Sequence, residues 1–258
     1  MTSAAPAIRV EDVAISFGGV HAVAGVSLAV EAGDFVGLIG PNGAGKTTLI
    51  RLMTGLLRPD RGAVYLGETD VTQASTAARV RKGLALTHQI VRPFREMTVL
   101  DNVVLAAGLQ KTSSPLRAIL HLDRRAEIER AMAILAEVGL AGVEGKFAGS
   151  LPLGQMKRLE VARALAVDPK VILLDEPLAG LNHSEATKQA ETISTVNARG
   201  ITVILVEHNL EEVLRICRRL VVLDNGRLIA DGVPHEVMAR PAVQEAYVGS
   251  GKRDDAAA

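Results

Sequence analysis

The sequence predicts an α/β fold: a parallel-sheet core with crossover helices, an antiparallel β edge and an inserted helical subdomain. Three observations predict it. Short β-rich runs alternate with longer helical patterns. The first two runs are separated by Phe17-Gly18-Gly19 and read as antiparallel edge strands rather than a βαβ unit. From about residue 94 to 167 the pattern is almost wholly helical, which interrupts the alternation.

In chain order, strands are expected at 9–15, 22–30, 35–39, 63–66, 84–87, 171–174, 202–206 and 220–223. The longest apolar stretches among them, at 171–174 and 203–206, are strand-sized and far below the length that spans a bilayer. Helices are expected at 46–54, 100–109, 125–138, 153–166, 184–198 and 210–216, with loops at 110–115 and 139–150. The whole chain, 1–258, reads as one domain with a core of about 1–93 and 168–258 and a helical subdomain of about 94–167. The tail at 249–258 is small and charged and is expected to fray.

Composition excludes several classes. Hydrophobic residues make up 48% of the 258, ample for a buried core. Lys+Arg and Asp+Glu balance at 29 each, so no global field points to nucleic acid. Four Phe and two Tyr, with no Trp, are too few for base-stacking platforms, so no nucleic-acid partner is expected. Cys217, the one cysteine, cannot form an internal disulfide and points to a reducing compartment. The N-terminus lacks a charged region followed by an apolar one, so no secretion signal is expected. The chain is expected to be soluble by itself and to meet a membrane only through a partner.

Gly40-Pro41-Asn42-Gly43-Ala44-Gly45-Lys46-Thr47 fits G-x-x-x-x-G-K-[ST] in full, after an apolar strand and at the start of a helix. Its glycines let backbone N–H groups turn inward around phosphate oxygens, and the new helix aims its positive end at them. Lys46 should reach the β- and γ-phosphates and Thr47 should ligate Mg²⁺, with Thr48 completing the nucleotide-binding set. ATP with Mg²⁺ is the expected ligand.

Ligands of open parallel sheets sit beyond the carboxyl ends of the strands. The apolar run 171–174 ends in Asp175-Glu176, the run 84–87 in His88-Gln89, and the run 202–206 in Glu207-His208. Asp175 suits a hold on Mg²⁺, and Glu176 stands where a base could polarise a water. His208 fits a γ-phosphate contact by its place at a strand end. His88 is ambiguous, and His21, His121, His183 and His235 have no such context.

With these motifs the sequence resembles the ATP-binding-cassette family over roughly residues 8–249. The resemblance rests also on Gln89, on Leu151-Pro152-Leu153-Gly154-Gln155, on 178–182, and on the helix that follows Gln155. Within the family it is most similar to the ATP-binding subunits of branched-chain amino-acid importers. That finer likeness rests on the Leu-Pro-Leu-Gly-Gln form of the signature, on the run 89–99, and on the ending Pro241-Ala242-Val243-Gln244-Glu245-Ala246-Tyr247-Val248-Gly249. Urea, amide and other hydrophobic-substrate importers share much of this pattern.

The resemblance implies a phosphate-loop NTPase of RecA-like core, an ATPase coupled to transport. Phe17 would stack on adenine, where Tyr is common. Gln89 would touch Mg²⁺ or the attacking water and couple the site to the membrane partner. Glu176 would be the general base, and His208 would hold the γ-phosphate and the water. Leu151, Pro152, Leu153, Gly154 and Gln155 would close over ATP held by a second ATP-binding subunit, identical or related. Transmembrane permease subunits, and through them a substrate-binding protein, would complete the assembly on the cytoplasmic side of the cell membrane. Two departures stand out: Pro152 and Leu153 replace the usual Ser and Gly, and Asn182 stands where Asp is common. Pro152 has neither hydroxyl nor N–H, yet Pro fits a first helical turn and Gly154 can still offer its N–H. Slower basal turnover would follow.

Two other classes fit the sequence less well. A phosphate-loop kinase needs an acceptor site and lid, and a GTPase needs Asn-Lys-x-Asp; neither is present. A cassette protein of DNA repair, translation or cofactor assembly often carries two cassettes, coiled-coil inserts or zinc-binding cysteines, which this chain lacks.

Overall fold

The computed structural model describes residues 5–87, 92–108 and 124–254. Its strands are β1 (Ile8–Phe17), β2 (Val20–Val30), β3 (Phe35–Ile39), β4 (Arg61–Leu66), β5 (Thr69–Asp70), β6 (Leu84–Thr87), β7 (Val171–Asp175), β8 (Thr202–Val206), β9 (Arg219–Asp224) and β10 (Arg227–Gly232). The helices are α1 (Lys46–Thr54), α2 (Thr76–Arg81), α3 (Val99–Gly108), α4 (Arg125–Glu137), α5 (Leu153–Ala166), α6 (His183–Ala198), α7 (Leu210–Ile216), α8 (Pro234–Met238) and α9 (Pro241–Asp254).

Two sheets form. The larger runs β10-β9-β3-β8-β7-β6 and is parallel from β9 to β6, with β10 added antiparallel. The smaller runs β2-β1-β4-β5, antiparallel throughout. The predicted antiparallel edge is thus a separate sheet, and the strand expected at 63–66 belongs to it as part of β4. Between β6 and β7 the described residues form helices and no strand of either sheet. No helix of the described residues is long and apolar enough to cross a membrane.

Alternation along the central strands divides the core into two layers. Ile39, Ile172, Leu174, Val203, Leu205, Leu220 and Val222 face the cluster built with α3, α4, α5 and α6. Val36, Leu38, Leu173, Ile204, Val206, Val221 and Leu223 face the opposite cluster, shared with α1 and the antiparallel sheet. Each such fully buried Val, Leu or Ile is worth roughly 1.5–3 kcal/mol of transfer free energy. Gly37 lets α7 approach β3: a Cβ there would stand 2.7 Å from Leu220 Cδ2 and 2.8 Å from Val213 Cγ1.

Arg79, on α2, is fully buried and anchors the far end of α1. Its Nη1 donates to the carbonyls of Leu52 (2.7 Å) and Met53 (2.6 Å), Nη2 to Thr72 (3.0 Å) and Nε to Ala74 (3.2 Å). These bonds satisfy carbonyls that a helix terminus leaves open. They fix the helix whose other end opens the phosphate loop.

Most elements absent from the predicted set are short; the exception is α9, 14 residues long, whose helix runs to Asp254 and so into the tail at 249–258 expected to fray. β5 has two residues, and α2 starts at Ser75, whose Oγ accepts from the Ala78 N–H at 3.3 Å. α8 opens on Pro234. β10 follows a turn at Asn225 (φ 46°) and Gly226 (φ 75°). Asn-Gly is the favoured pair for such a two-residue hairpin.

Candidate active site

The phosphate loop fills the gap between β3 and α1. Gly40, Gly43 and Gly45 have φ of 148°, 76° and 100°, which an L side chain rarely adopts. Contact adds to the requirement. A Cβ on Gly40 would stand 2.1 Å from the Leu223 carbonyl oxygen, and one on Gly45 2.4 Å from that of Ala22. Both sheets therefore press on the loop. The β9–β10 turn holds it further: the Gly226 N–H donates to the Ala44 carbonyl (3.0 Å), and the Ala24 N–H donates to that of Gly226 (2.8 Å). α1 starts at Gly45 with no side-chain cap, so its first N–H groups and positive end suit an anion.

Lys46 is buried, and its Nζ donates to the carbonyls of Gly40 (2.6 Å) and Pro41 (2.9 Å). Burial pushes its pKa down, while the charges of Glu176 and Asp175 pull it back up. Thr47 and Thr48 are half-buried on the first turn of α1, Ala44 is buried, and Asn42 and Gly43 are exposed.

Three strand-end groups meet near this lysine. Asp175 is buried at the end of β7. Glu176 follows at φ 50°, a left-handed conformation costing on the order of 1–2 kcal/mol for a side chain like this. Its N–H donates to the Val206 carbonyl (2.9 Å), continuing the β7–β8 pairing. Its Oε1 lies 2.9 Å from His208 Nε2. The carboxylate is thus aimed by its own backbone and by the imidazole. That arrangement can orient a water and accept its proton.

Thr47 and Asp175 offer hard oxygen donors. Asp175 acts electrostatically on Lys46, the neighbour of Thr47. Mg²⁺ takes one or two protein oxygens and fills the rest of its octahedron with phosphate and water oxygens, so the donor set fits that ion. Among the described residues no group of three or more His, Cys, Asp or Glu could hold a metal. Gln89 and His88 lie outside the described residues.

Phe17 ends β1 opposite Val20, at the tip of the first hairpin, with 49% of its surface exposed. The five residues from Leu151 lie elsewhere. Leu151 and Gly154 are buried, Pro152 is the N-cap of α5, and Leu153 is 39% exposed. Leu153 and Gly154 adjoin α6 and the loop before it. A Cβ on Gly154 would meet Glu185 Oε1 at 3.2 Å, and one on Gly180 would meet Leu153 Cδ2 at 3.1 Å. Asn182 caps α6 in a capping box: its Oδ1 accepts from the Glu185 N–H (3.0 Å), and Glu185 Oε2 accepts from the Asn182 N–H (3.2 Å). An amide serves that cap as well as a carboxylate does.

The structure adds residues that the sequence reading left without a role. Lys157 is buried on α5 and donates to the Glu176 carbonyl at 2.8 Å. Burial lowers its pKa, opposed by the charges of Glu207, Glu176, Asp175 and Glu160. Glu207 is buried as well, and burial raises its pKa although the N–H groups of Leu178, His208 and Asn209 favour the carboxylate. Tyr247, on α9, has its hydroxyl hydrogen-bonded to the backbone of Gly40, and burial pushes it up to about 12. A signal existed for Lys157, which shares a helix face with Gly154 and Val161, both buried.

Known proteins share this organisation. Residues 23–179 match the family described as ABC transporter, and residues 227–253 match the branched-chain amino acid ATP-binding cassette transporter family. The chain is 37% identical over 250 residues to the probable branched-chain amino acid transport ATP-binding protein LivG of Methanocaldococcus jannaschii, covering 94% of this chain and 97% of the relative. It is 39% identical over 224 residues to the lipopolysaccharide export system ATP-binding protein LptB of Acidithiobacillus ferridurans, covering 87% and 89%. Among solved structures it is similar, with a TM-score of 0.84 at 36% identity, to an ATP-binding cassette of an ABC transporter in its ADP conformation, covering 96% of this chain and all (100%) of that one.

Proposed function

Because the chain belongs to the ABC transporter family of ATP-binding cassettes, we propose that it is the ATP-hydrolysing subunit of an importer of branched-chain amino acids or a closely related small substrate. The observation that carries the ATPase is the meeting of a complete phosphate loop with Asp175, Glu176 and His208 at adjoining strand ends. The substrate class is supported by the match at 227–253 and by LivG, which aligns over 94% of this chain.

The amides of residues 40–48 and Lys46 grip the triphosphate, and Phe17 stacks on the adenine. Thr47 and Asp175 would hold Mg²⁺, which would neutralise charge on the β- and γ-phosphates, and Gln89 would touch that ion or the attacking water. Glu176 takes a proton from water as its oxygen attacks the γ-phosphorus. The bond to the bridging oxygen breaks, leaving ADP and inorganic phosphate. His208 orients Glu176 and contacts the γ-phosphate. Leu151–Gln155 of a second ATP-binding subunit encloses the nucleotide, and the helical insert passes that closure to transmembrane permease subunits. The protein sits on the cytoplasmic side of the membrane, held there by those subunits.

The identity to LptB favours a second reading, lipopolysaccharide export. One experiment separates them. The chain is purified with its membrane subunits, reconstituted in vesicles and assayed for ATPase with and without leucine-loaded binding protein. Stimulation by the loaded protein supports import. A permease that extracts lipopolysaccharide and ignores the binding protein would overturn it.

A further inference from the structure

Two buried charges beside the reaction centre have no part in the steps above. Lys157 lies one turn beyond Gly154 on α5 and is 4% exposed; Glu207 directly follows β8 and is 3% exposed. Burying an ion costs several kcal/mol of hydration unless partners replace the water. Those partners lie on the two neighbouring loops that follow β7 and β8. Lys157 Nζ donates to the carbonyl of Glu176 at 2.8 Å. Glu207 Oε1 accepts from the Leu178 N–H at 2.6 Å, and Oε2 from the His208 N–H at 3.1 Å.

The peptide carrying the base is therefore held at every point. Its N–H is tied to Val206, its carbonyl to Lys157 and its carboxylate to His208. The turn after it is tied to Glu207, which also fixes the backbone of His208. A left-handed glutamate persists only where its surroundings over-determine it. Of these restraints, Lys157 alone comes from α5, the helix that opens directly after Leu151 and Pro152.

We infer that Lys157 is a positioning residue that couples the Leu151–Gln155 end of α5 to the general base Glu176 of the same subunit. The inference rests on the proposed function, in which those five residues serve the ATP of a second subunit while Glu176 serves its own. Lys157 lies four residues beyond Leu153, about 6 Å along the helix axis. A hydrogen-bonded helix passes a displacement over that length with little loss. When Leu151–Gln155 engages nucleotide at one site, Lys157 shifts the Glu176 carbonyl, and with it the carboxylate, at the other. A misplacement of about 1 Å can cost on the order of 100-fold in rate, so small shifts suffice. The clamp makes each site's chemistry depend on closure at its neighbour.

The test uses the full chain in complex with its membrane subunits. Lys157→Met fills similar volume without the charge or the donor. It should lower kcat about 10-fold or more while leaving KM for Mg-ATP unchanged. The Hill coefficient for ATP should fall from above 1 in the wild type towards 1. Glu207→Gln should show the same split. The double variant should be no worse than the worse single one, because both act through one loop. Should Lys157→Met fail to fold, Lys157→Leu, which likewise removes the donor to the Glu176 carbonyl, and Glu207→Gln carry the measurement. Wild-type kcat and Hill coefficient in these variants overturn the inference, as do additive losses or a wild-type Hill coefficient of 1. Absence of ATPase in the wild-type complex removes the proposed function and this inference together. Cooperative hydrolysis in the wild type and the variants alike removes the inference alone.

Discussion

Arg79→Met should destabilise the fold severely while sparing the nucleotide site. The guanidinium is fully buried and donates to the carbonyls of Leu52, Met53, Thr72 and Ala74. Hydrogen bonds from a charged donor are worth about 1.5–3 kcal/mol each, a sum of roughly 6–12 kcal/mol. That sum overstates the loss, because methionine is spared the cost of burying a charge, a cost seen in the lowered pKa of Arg79. A net loss of about 3–5 kcal/mol remains, the usual penalty for breaking a buried charged network. In a chain of this size each kcal/mol lowers Tm by about 2–4 °C, so a fall of roughly 6–20 °C is expected. Differential scanning calorimetry of the full chain, with and without Mg-ATP, measures it. The stabilisation by Mg-ATP should survive, since Arg79 binds the end of α1 remote from the phosphate loop. A fall of less than about 2 °C would refute the claim that these carbonyls depend on Arg79. Disappearance of the nucleotide-induced shift would show that the side chain shapes the cradle directly.

Glu176→Gln keeps a hydrogen-bonding partner for His208 but removes the base, so kcat should fall about 100- to 10,000-fold with ATP still bound. Size-exclusion chromatography with ATP should then show a persistent closed dimer, and full activity would remove Glu176 from that role. Gly45→Ala drives a Cβ to 2.4 Å from the Ala22 carbonyl oxygen. Equilibrium dialysis should show ATP binding lost, and undiminished binding would contradict the required conformation. Cys217 is buried, and burial pushes its thiol up to about 12. Iodoacetamide at neutral pH should therefore leave it unmodified in the folded chain and alkylate it in denaturant, as read by mass spectrometry. Rapid native labelling would disprove the burial.

The central sheet was legible because its strands are continuous apolar runs that end in polar residues. Val171–Asp175 and Thr202–Val206 announce both a buried strand and the group it delivers. The phosphate loop was legible for the same reason: glycine positions, lysine and threonine are dictated by local geometry. The split into two sheets was harder to see. β4 pairs with β1, some 50 residues earlier in the chain, and nothing local in Arg61–Leu66 distinguishes it from a parallel strand. Lys157 and Glu207 escaped because charge in a sequence reads as solvent exposure, whereas here backbone groups of Glu176, Leu178 and His208 replace the water. The Asn225-Gly226 pair carried a hairpin signal that went unread, and β10 was missed with it.

The hydrogen bond from the β9–β10 turn to Ala44 has a consequence for the timing of the cycle. A cradle braced by Gly226 on one flank and by the Ala22 backbone on the other is shaped before nucleotide arrives. Little binding energy is then spent on ordering it. Capture should proceed with a small entropic penalty, and in the proposed dimer exchange should be paced by separation of the subunits rather than by any loosening of the loop.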